Sequence, residues 1–223
     1  MAFKFLIHRV SNQNSNQLNY SRWLEMAGIF LGIPLFHSRM SVPHVKIASL
    51  LAVCSVCHVL ILRDKTFYRN RFGFNGFRAW YMLAIRFAVI VGCFSLYTIV
   101  VDPESPRALF QHNYMSWALL MILYPVFSVI PQEIIYRAFF FHRYGSLFKE
   151  KRVSWLVNTM LFAFGHILFK NWVAIIGSFA FSLIWATTYL QSRSILTVTI
   201  EHALYGDSAF ILGVGYYFYS PDF

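Results

Sequence analysis

The chain has 223 residues, of which 58% are hydrophobic and 13% charged, and its mean hydropathy is +0.53. Too few polar residues remain to cover the surface of a water-soluble domain of this length, so the composition excludes a soluble globular protein. The net charge of +10 comes largely from basic clusters between apolar segments. That distribution is typical of a membrane protein in a lipid bilayer and argues against nucleic-acid binding.

Apolar segments follow a polar N-terminal segment, residues 1–21. They predict an all-α fold, a polytopic transmembrane helical bundle of about eight spans, in a single membrane-embedded domain over residues 1–223. The first, seventh and eighth spans are short for a helix that crosses a bilayer core, which needs roughly 20 residues, so six or seven crossings remain alternatives. The predicted spans cover 22–36, 45–62, 80–101, 114–144, 153–168, 172–190, 195–205 and 209–219.

Basic residues cluster in two of the segments between spans. Residues 63–78 and 143–152 are strongly basic, whereas residues 102–107 are slightly acidic. By the positive-inside rule, both basic segments and the N-terminus are expected in the cytosol. The compact length favours a multi-pass protein of the bacterial cytoplasmic (inner) membrane.

Three polar residues, Gln132, Glu133 and Arg137, interrupt the apolar stretch 131–141. An acid or an Arg at the centre of a membrane helix costs about 2.5–3.5 kcal/mol. Glu133 and Arg137 have the i,i+4 order that favours a helical ion pair. Pro131 lacks an N–H and frees a backbone carbonyl, which favours a polar pocket here. The pair either fixes the packing of the helices or is part of a catalytic site.

Two further spans carry imidazoles. Asn158, Phe162 and His166 recur at i, i+4 and i+8 and therefore share one face of the fifth span. The ordinary pKa of a histidine is near neutral, which suits His166 to accept a proton from water. His202 lies in the seventh span. A single histidine is weak evidence, but ionisable or imidazole groups in three apolar spans, the fourth, fifth and seventh, together indicate a functional site.

Other ionisable groups lie near these elements. Glu201 precedes His202, Asp207 follows the same span, and Arg86 is a cation within the third span. Adjacent residues on a helix point to different faces, so Glu201 is not automatically the partner of His202. Arg86 is expected either to meet Glu133 or to line the site.

The first two elements resemble motifs of the CAAX protease and bacteriocin-processing family (CPBP or Abi), the glutamic intramembrane endopeptidases. The family's first motif, Glu-Glu-x-x-x-Arg, is matched by Gln132, Glu133 and Arg137 with one change. Its second motif, Phe-x-x-x-His, is matched by Phe162 and His166. These two motifs lie on the fourth and fifth spans in the family's order, and the ordered set that a third motif on the seventh span completes is specific.

The third family motif is His-x-x-x-Asn, or a variant at the final position, and it is matched by His202 but has Gly206 at that final position. The resemblance covers about residues 114–207, the family's catalytic core. It implies an intramembrane endopeptidase that cuts a membrane-associated or C-terminally anchored or prenylated protein or peptide with activated water. It also implies that no metal or other cofactor takes part.

The resemblance implies a role for each matched residue. In the family, the first glutamate and the second-motif histidine activate water, and the last-motif histidine and asparagine stabilise the oxyanion. Carried over, His166 activates water and His202 stabilises the oxyanion. Glu133 and Arg137 then organise the site. A zinc site with His166, His202 and a carboxylate as ligands has suitable ligand types, but no H-E-x-x-H spacing supports it.

Two departures leave alternatives open. Gln132 stands where the family has its general base, and an amide accepts no proton at neutral pH, although it can position water. Gly206 replaces the amide donor. Three explanations compete: an inactive relative that acts as a peptide-binding or regulatory scaffold, an enzyme in which Glu133 or Glu201 is the base, and an engineered Glu→Gln substitution. Asp207 is a candidate to compensate for Gly206. A transporter ranks lower, because no broken-helix repeat is present.

Overall fold

A computed structural model describes residues 19–40, 42–73, 77–101, 103 and 114–218. The predicted polar segment lies mostly outside these residues. Seven helices and no strand occur in the described part of the chain, which confirms the prediction of an all-α bundle. The helices are α1 (19–38), α2 (Pro43–Arg63), α3 (Phe77–Val100), α4 (114–143), α5 (Lys151–Gly165), α6 (Trp172–Ser192) and α7 (Ile195–Ile211).

Helices α1 and α4 are continuous but contain wider, π-helical turns. One such turn, Gly28–Gly32, lies in α1, and two, Pro125–Val129 and Ile134–Phe139, lie in α4. Pro125 has no N–H to donate, which interrupts the regular hydrogen-bond pattern at the start of its turn. The turns in α4 flank the segment Ile130–Glu133, and turns of this kind often mark functional sites.

Five helices of the described chain are long and apolar enough to span a membrane. The eight predicted spans are therefore not confirmed as a count. Residues 209–211 belong to α7, and the chain continues through a turn into the short 3₁₀ helix Val214–Phe218, so the predicted eighth span is not a separate helix within the described residues. The five candidate spans are His44–Arg63, Trp80–Val100, Ala118–Arg143, Lys151–Phe169 and Trp172–Ser192.

One end of the bundle, here called the basic end, contains the start of α1 and the three connections that follow α2, α4 and α6. Arg143 at the end of α4 makes two hydrogen bonds, of 2.6 and 2.7 Å, to the carboxylate of Glu25 in α1. His142 lies 2.8 Å from Asp64, which follows α2. Ser194, between α6 and α7, donates to the carbonyl of Gly73 at 2.6 Å. The start of α1 and both basic segments therefore lie at the same end.

The other end, here called the opposite end, contains the end of α1, the connection between α5 and α6, and the segment after α7. The 3₁₀ turn His166–Phe169 packs against Ile33–Ser38 of α1. Asn171 donates to the carbonyl of Tyr217 at 2.7 Å, and Thr98 of α3 donates to the carbonyl of Leu212 at 2.6 Å. Both contacts hold the segment after α7 against α3 and the start of α6.

The core lies between α1, α4, α5 and the ends of α6 and α7. Phe30 of α1 packs edge-on against Tyr136, Phe140 and Tyr144, with ring centroids 5.1–6.0 Å apart. Outward-facing apolar side chains remain exposed on α3, such as Ile99, which is 72% exposed. In a bilayer such faces contact lipid tails, which accounts for their apolar character.

Candidate active site

A buried ion pair within α4 lies behind the site. Nε of Arg137 lies 3.3 Å from Oε2 of Glu133, and both side chains are completely buried. They are one helical turn apart, so the i,i+4 spacing of the sequence does produce the expected pair. A buried pair of this kind needs further hydrogen bonds to offset the loss of hydration.

Arg137 obtains those hydrogen bonds from two other helices. Its guanidinium donates to Oδ1 of Asn158 at 2.5 Å and to Oγ of Ser182 at 3.1 Å. Its carbon Cζ also lies 5.0 Å from the centre of the Phe162 ring, within the range of a cation–π contact. Asn158 in turn donates to the carbonyl of Tyr136 at 2.6 Å. Arg137 therefore ties α4 to α5 and α6.

His202 connects α7 to the same pair. Its Nδ1 lies 2.8 Å from Oε1 of Glu133. The imidazole stacks on the indole of Trp185, with ring centroids 3.6 Å apart and an interplanar angle of 21°. The ring is thus held on one edge by a carboxylate and on one face by an aromatic side chain.

His166 is positioned by the end of α5. The helix ends at Gly165, and His166 begins a 3₁₀ turn. Its Nδ1 lies 2.9 Å from the carbonyl oxygen of Phe162. Because a carbonyl only accepts hydrogen bonds, Nδ1 carries the proton in this contact. The other nitrogen, Nε2, is then left with a lone pair in the neutral ring.

Gln132 is held by a neighbour on its own helix. Its Nε2 donates to Oγ of Ser128 at 2.8 Å. Its Oε1 is buried and has no hydrogen-bond partner among the described residues. An amide whose nitrogen is occupied in this way presents a free acceptor oxygen.

The polar groups meet at a cavity of about 520 Å³. Gln132, His166 and His202 line it, whereas Glu133 and Arg137 lie behind its wall. The five predicted site residues are therefore brought together, in two layers. Most of the remaining lining is apolar and includes Leu123, Phe127, Ile135, Phe181 and Phe210.

Glu201 and Asp207 do not line this cavity. Glu201 is completely buried, accepts from the hydroxyl of Tyr205 at 2.9 Å and lies 3.5 Å from Nη1 of Arg86. Arg86 also donates to Thr188 at 3.0 Å. Arg86 therefore contacts Glu201. It neither contacts Glu133 nor lines the cavity, so neither of the two expectations for this cation is met.

The structure adds Tyr124, which the sequence analysis did not single out. Tyr124, Ser128 and Gln132 follow each other at i, i+4 and i+8 along α4, and all three line the cavity. A Cβ atom on Gly206 would clash with the Tyr124 ring, 2.6 Å from its Cζ and closer still to its hydroxyl. The i,i+4,i+8 spacing alone predicts that Tyr124 shares a helix face with Gln132, but tyrosines in apolar helices are too common for this spacing to single it out.

The zinc alternative depends on the donor groups near the cavity. No group of three or more His, Cys, Asp or Glu side chains occurs in the described part of the chain at spacings that suit a metal ion. The two cavity histidines also use their Nδ1 atoms for contacts with Phe162 and Glu133.

The long apolar helices define a multi-pass membrane protein. Residues 114–206 match the model of a protein family described as Rce1-like, type II CAAX prenyl endopeptidase. The match confirms the predicted resemblance and covers the segment from the start of α4 into α7. The family is one of peptidases and implies membrane-associated protein substrates. No curated protein and no solved structure matches the chain.

Proposed function

We propose that this protein is an intramembrane endopeptidase that hydrolyses a peptide bond of a membrane-associated or C-terminally anchored protein or peptide. The observation that carries the proposal is the convergence of Gln132, His166 and His202, from three helices, on one largely apolar cavity. A cavity of this character can hold an apolar peptide segment beside a few polar groups.

His166 is the proposed acceptor of the proton from water. The hydrogen bond from Nδ1 to the Phe162 carbonyl leaves Nε2 unprotonated in the neutral ring, which is the state that a general base requires. The Oε1 atom of Gln132 is proposed to accept a hydrogen bond from the same water and so orient it. A glutamate at position 132 would add a second basic group to the same place.

His202 is the proposed donor to the oxyanion that forms on the scissile carbonyl. Nδ1 is committed to Glu133 at 2.8 Å, so donation to substrate requires a proton on Nε2 as well. Glu133 and Arg137 are positioning residues in this scheme, because Glu133 contacts His202 and Arg137 contacts α5 and α6, whereas neither lines the cavity. Preorganised donors in a site without bulk water stabilise developing negative charge strongly.

The proposed location is the bacterial cytoplasmic membrane, with the N-terminus in the cytosol. The contacts of Glu25 and Asp64 with the end of α4 support this orientation, because they bring the start of α1 to the basic end. Positively charged connections face the cytosol in most multi-pass proteins.

The test compares the purified protein with Gln132→Glu and His166→Ala variants on membrane-anchored model peptides in lipid vesicles. We expect Gln132→Glu to raise the rate of hydrolysis by at least tenfold, and His166→Ala to abolish hydrolysis in either background. Ser192→Ala is a control at the basic end, away from the cavity. No hydrolysis with Gln132→Glu across such peptides would overturn the proposal and favour the inactive, peptide-binding relative.

A further inference from the structure

The charges of the two ends differ strongly. Ten basic side chains lie at the basic end, and three lie at the opposite end, among the residues whose side chains are described. The ten are Arg22, Arg63, Lys65, Arg69, Arg71, Arg143, Lys149, Lys151, Arg152 and Arg193. The three are Arg39, Lys46 and Lys170. A bias of this size in short connections sets the orientation of a multi-pass protein, with the basic end in the cytosol.

The cavity lies toward the opposite end. At about 1.5 Å per residue, the 15 residues of α5 place His166 roughly 22 Å from the basic end. The lining also includes His37 at the end of α1, Lys46 at the start of α2, Phe169 and Phe218. All four lie at the opposite end of the bundle. None of the ten basic side chains of the basic end lines the cavity.

We propose that the cavity receives its substrate from the extracytoplasmic side of the membrane. This inference rests on the proposed function and names the substrate class: a membrane-anchored peptide whose scissile bond lies in the outer half of the bilayer. The apolar lining suits a hydrophobic segment or an attached lipid chain. A cytosolic protein with a prenylated C-terminus would meet the basic end of the bundle, where the cavity has no lining residue.

Cysteine labelling in intact cells tests the orientation without any assay of hydrolysis. Val42→Cys places a thiol at the opposite end and Tyr68→Cys places one at the basic end; the native side chains are 46% and 68% exposed. Neither change alters a charge. The parent chain, with Cys54, Cys57 and Cys93 inside helices, gives the background signal. The probe is a membrane-impermeant maleimide.

We expect Val42→Cys to react in intact cells and Tyr68→Cys to react only after the membrane is permeabilised. The reverse pattern, or equal labelling of both in intact cells, would overturn the proposed side of access. A second experiment uses lipid vesicles that contain the protein. The vesicles are separated according to whether the cysteine at position 42 or at position 68 reacts with the probe from outside, and a membrane-anchored peptide is added to the outer solution. Cleavage only by molecules with position 42 outward supports the substrate class. Cleavage by molecules with position 68 outward contradicts it, whereas no cleavage by either contradicts the proposed function.

A second inference comes from the fit of Tyr124 against Gly206. The ring of Tyr124 occupies the space into which any side chain at position 206 would project. Tyr124 is half-buried, lines the cavity and lies edge-on to His202, with ring centroids 6.4 Å apart. A phenol hydroxyl is a hydrogen-bond donor of the kind found in oxyanion sites.

We infer that the Tyr124 hydroxyl is the second donor to the oxyanion, beside His202. This role also rests on the proposed function. In this scheme Tyr124 of α4 takes the place of the donor side chain that is missing at position 206 of α7. Its ring fills the space that Gly206 leaves open. The proton stays on the phenol oxygen and is shared with the substrate oxygen, so no bond is broken at Tyr124.

The test measures kcat and KM in the Gln132→Glu background. We expect Tyr124→Phe to lower kcat by about 10²–10³-fold, the usual effect of losing one such donor, with KM and the unfolding midpoint unchanged. Tyr81→Phe removes a hydroxyl from a 70% exposed tyrosine and is the matched control. Tyr124→Ala combined with Gly206→Asn is expected to regain part of the lost rate.

Equal kcat values for Tyr124→Phe and Tyr81→Phe would overturn the donor role. A fall in kcat that is matched by a fall in the unfolding midpoint would assign Tyr124 to packing alone and would also overturn it. If the Gln132→Glu parent hydrolyses nothing, the proposed function fails and the donor role fails with it.

Discussion

Glu133 contacts His202 through one carboxylate oxygen and Arg137 through the other, at 2.8 and 3.3 Å. The acid on α4 therefore bridges the cavity wall on α7 and the guanidinium behind it. Because Glu133 is completely buried and does not line the cavity, it has no route to a water beside the substrate. This relationship favours a positioning role for Glu133 over the role of general base.

Replacing Glu133 by Gln is expected to destabilise the protein. The change leaves the buried Arg137 without its counter-charge, and breaking a buried ion pair on one side costs about 3–5 kcal/mol. Unfolding in detergent, followed by circular dichroism, measures the difference in midpoint. Glu150→Gln is the matched control, because Glu150 is exposed next to α5. Equal midpoints for the two variants would show that the buried pair contributes little to stability.

The Glu201→Gln variant tests whether Glu201 of α7 is the general base. Glu201 accepts from Tyr205, lies next to Arg86 and does not line the cavity. We therefore expect Glu201→Gln to keep at least half of the hydrolysis rate measured in the Gln132→Glu background, with a lower unfolding midpoint. The rate is corrected for the folded fraction of each sample. Complete loss of hydrolysis in a folded variant would make Glu201 the base and would contradict the role proposed for His166.

Much of the site could be predicted from local spacing. The i,i+4 order of Glu133 and Arg137 gives their ion pair, and the repeat of Asn158, Phe162 and His166 gives one shared face of α5, because both follow from the helix period alone. The order of these groups along the chain also predicts their convergence. The family match over residues 114–206 is consistent with that prediction.

The remaining features depend on contacts between distant segments. The pairing of Arg86 with Glu201 joins α3 to α7, and nothing in the spacing of the two residues selects it over a pairing with Glu133. The fit of Tyr124 against Gly206 likewise joins α4 to α7. The eighth predicted span is not a separate helix among the described residues for another reason: hydropathy reports apolar character but does not show where a helix ends.

Removal of metal ions is expected to leave hydrolysis unchanged. The Nδ1 atoms of His166 and His202 are held by a carbonyl and by the carboxylate of Glu133, and the described residues contain no group of three or more His, Cys, Asp or Glu side chains that could hold a zinc ion. The Gln132→Glu protein is assayed after dialysis against 1,10-phenanthroline. A known zinc peptidase treated in parallel shows that the chelator works. Loss of activity that is restored by added zinc would contradict the metal-free scheme.

Substitution of Gly165 by a residue with a Cβ atom is expected to be unfavourable, because Gly165 lies directly against Tyr136. A Cβ at this position would lie 2.5 Å from the Tyr136 hydroxyl, and Tyr136 is itself packed against Phe30 and Phe162. We expect Gly165→Ala to lower the unfolding midpoint and the hydrolysis rate together, because the strain displaces the adjacent His166.

Two comparisons isolate that contact. Gly92→Ala is the matched control, since no atom lies within 4 Å of its Cβ position, and in a helix interior Ala is favoured over Gly by about 1 kcal/mol. Its midpoint should therefore equal or exceed that of the parent. Combining Gly165→Ala with Tyr136→Phe removes the clashing oxygen and should restore most of the midpoint and the rate. If the double variant stays as unstable as Gly165→Ala alone, the clash with Tyr136 is not the cause, and the strain lies in the backbone at the end of α5.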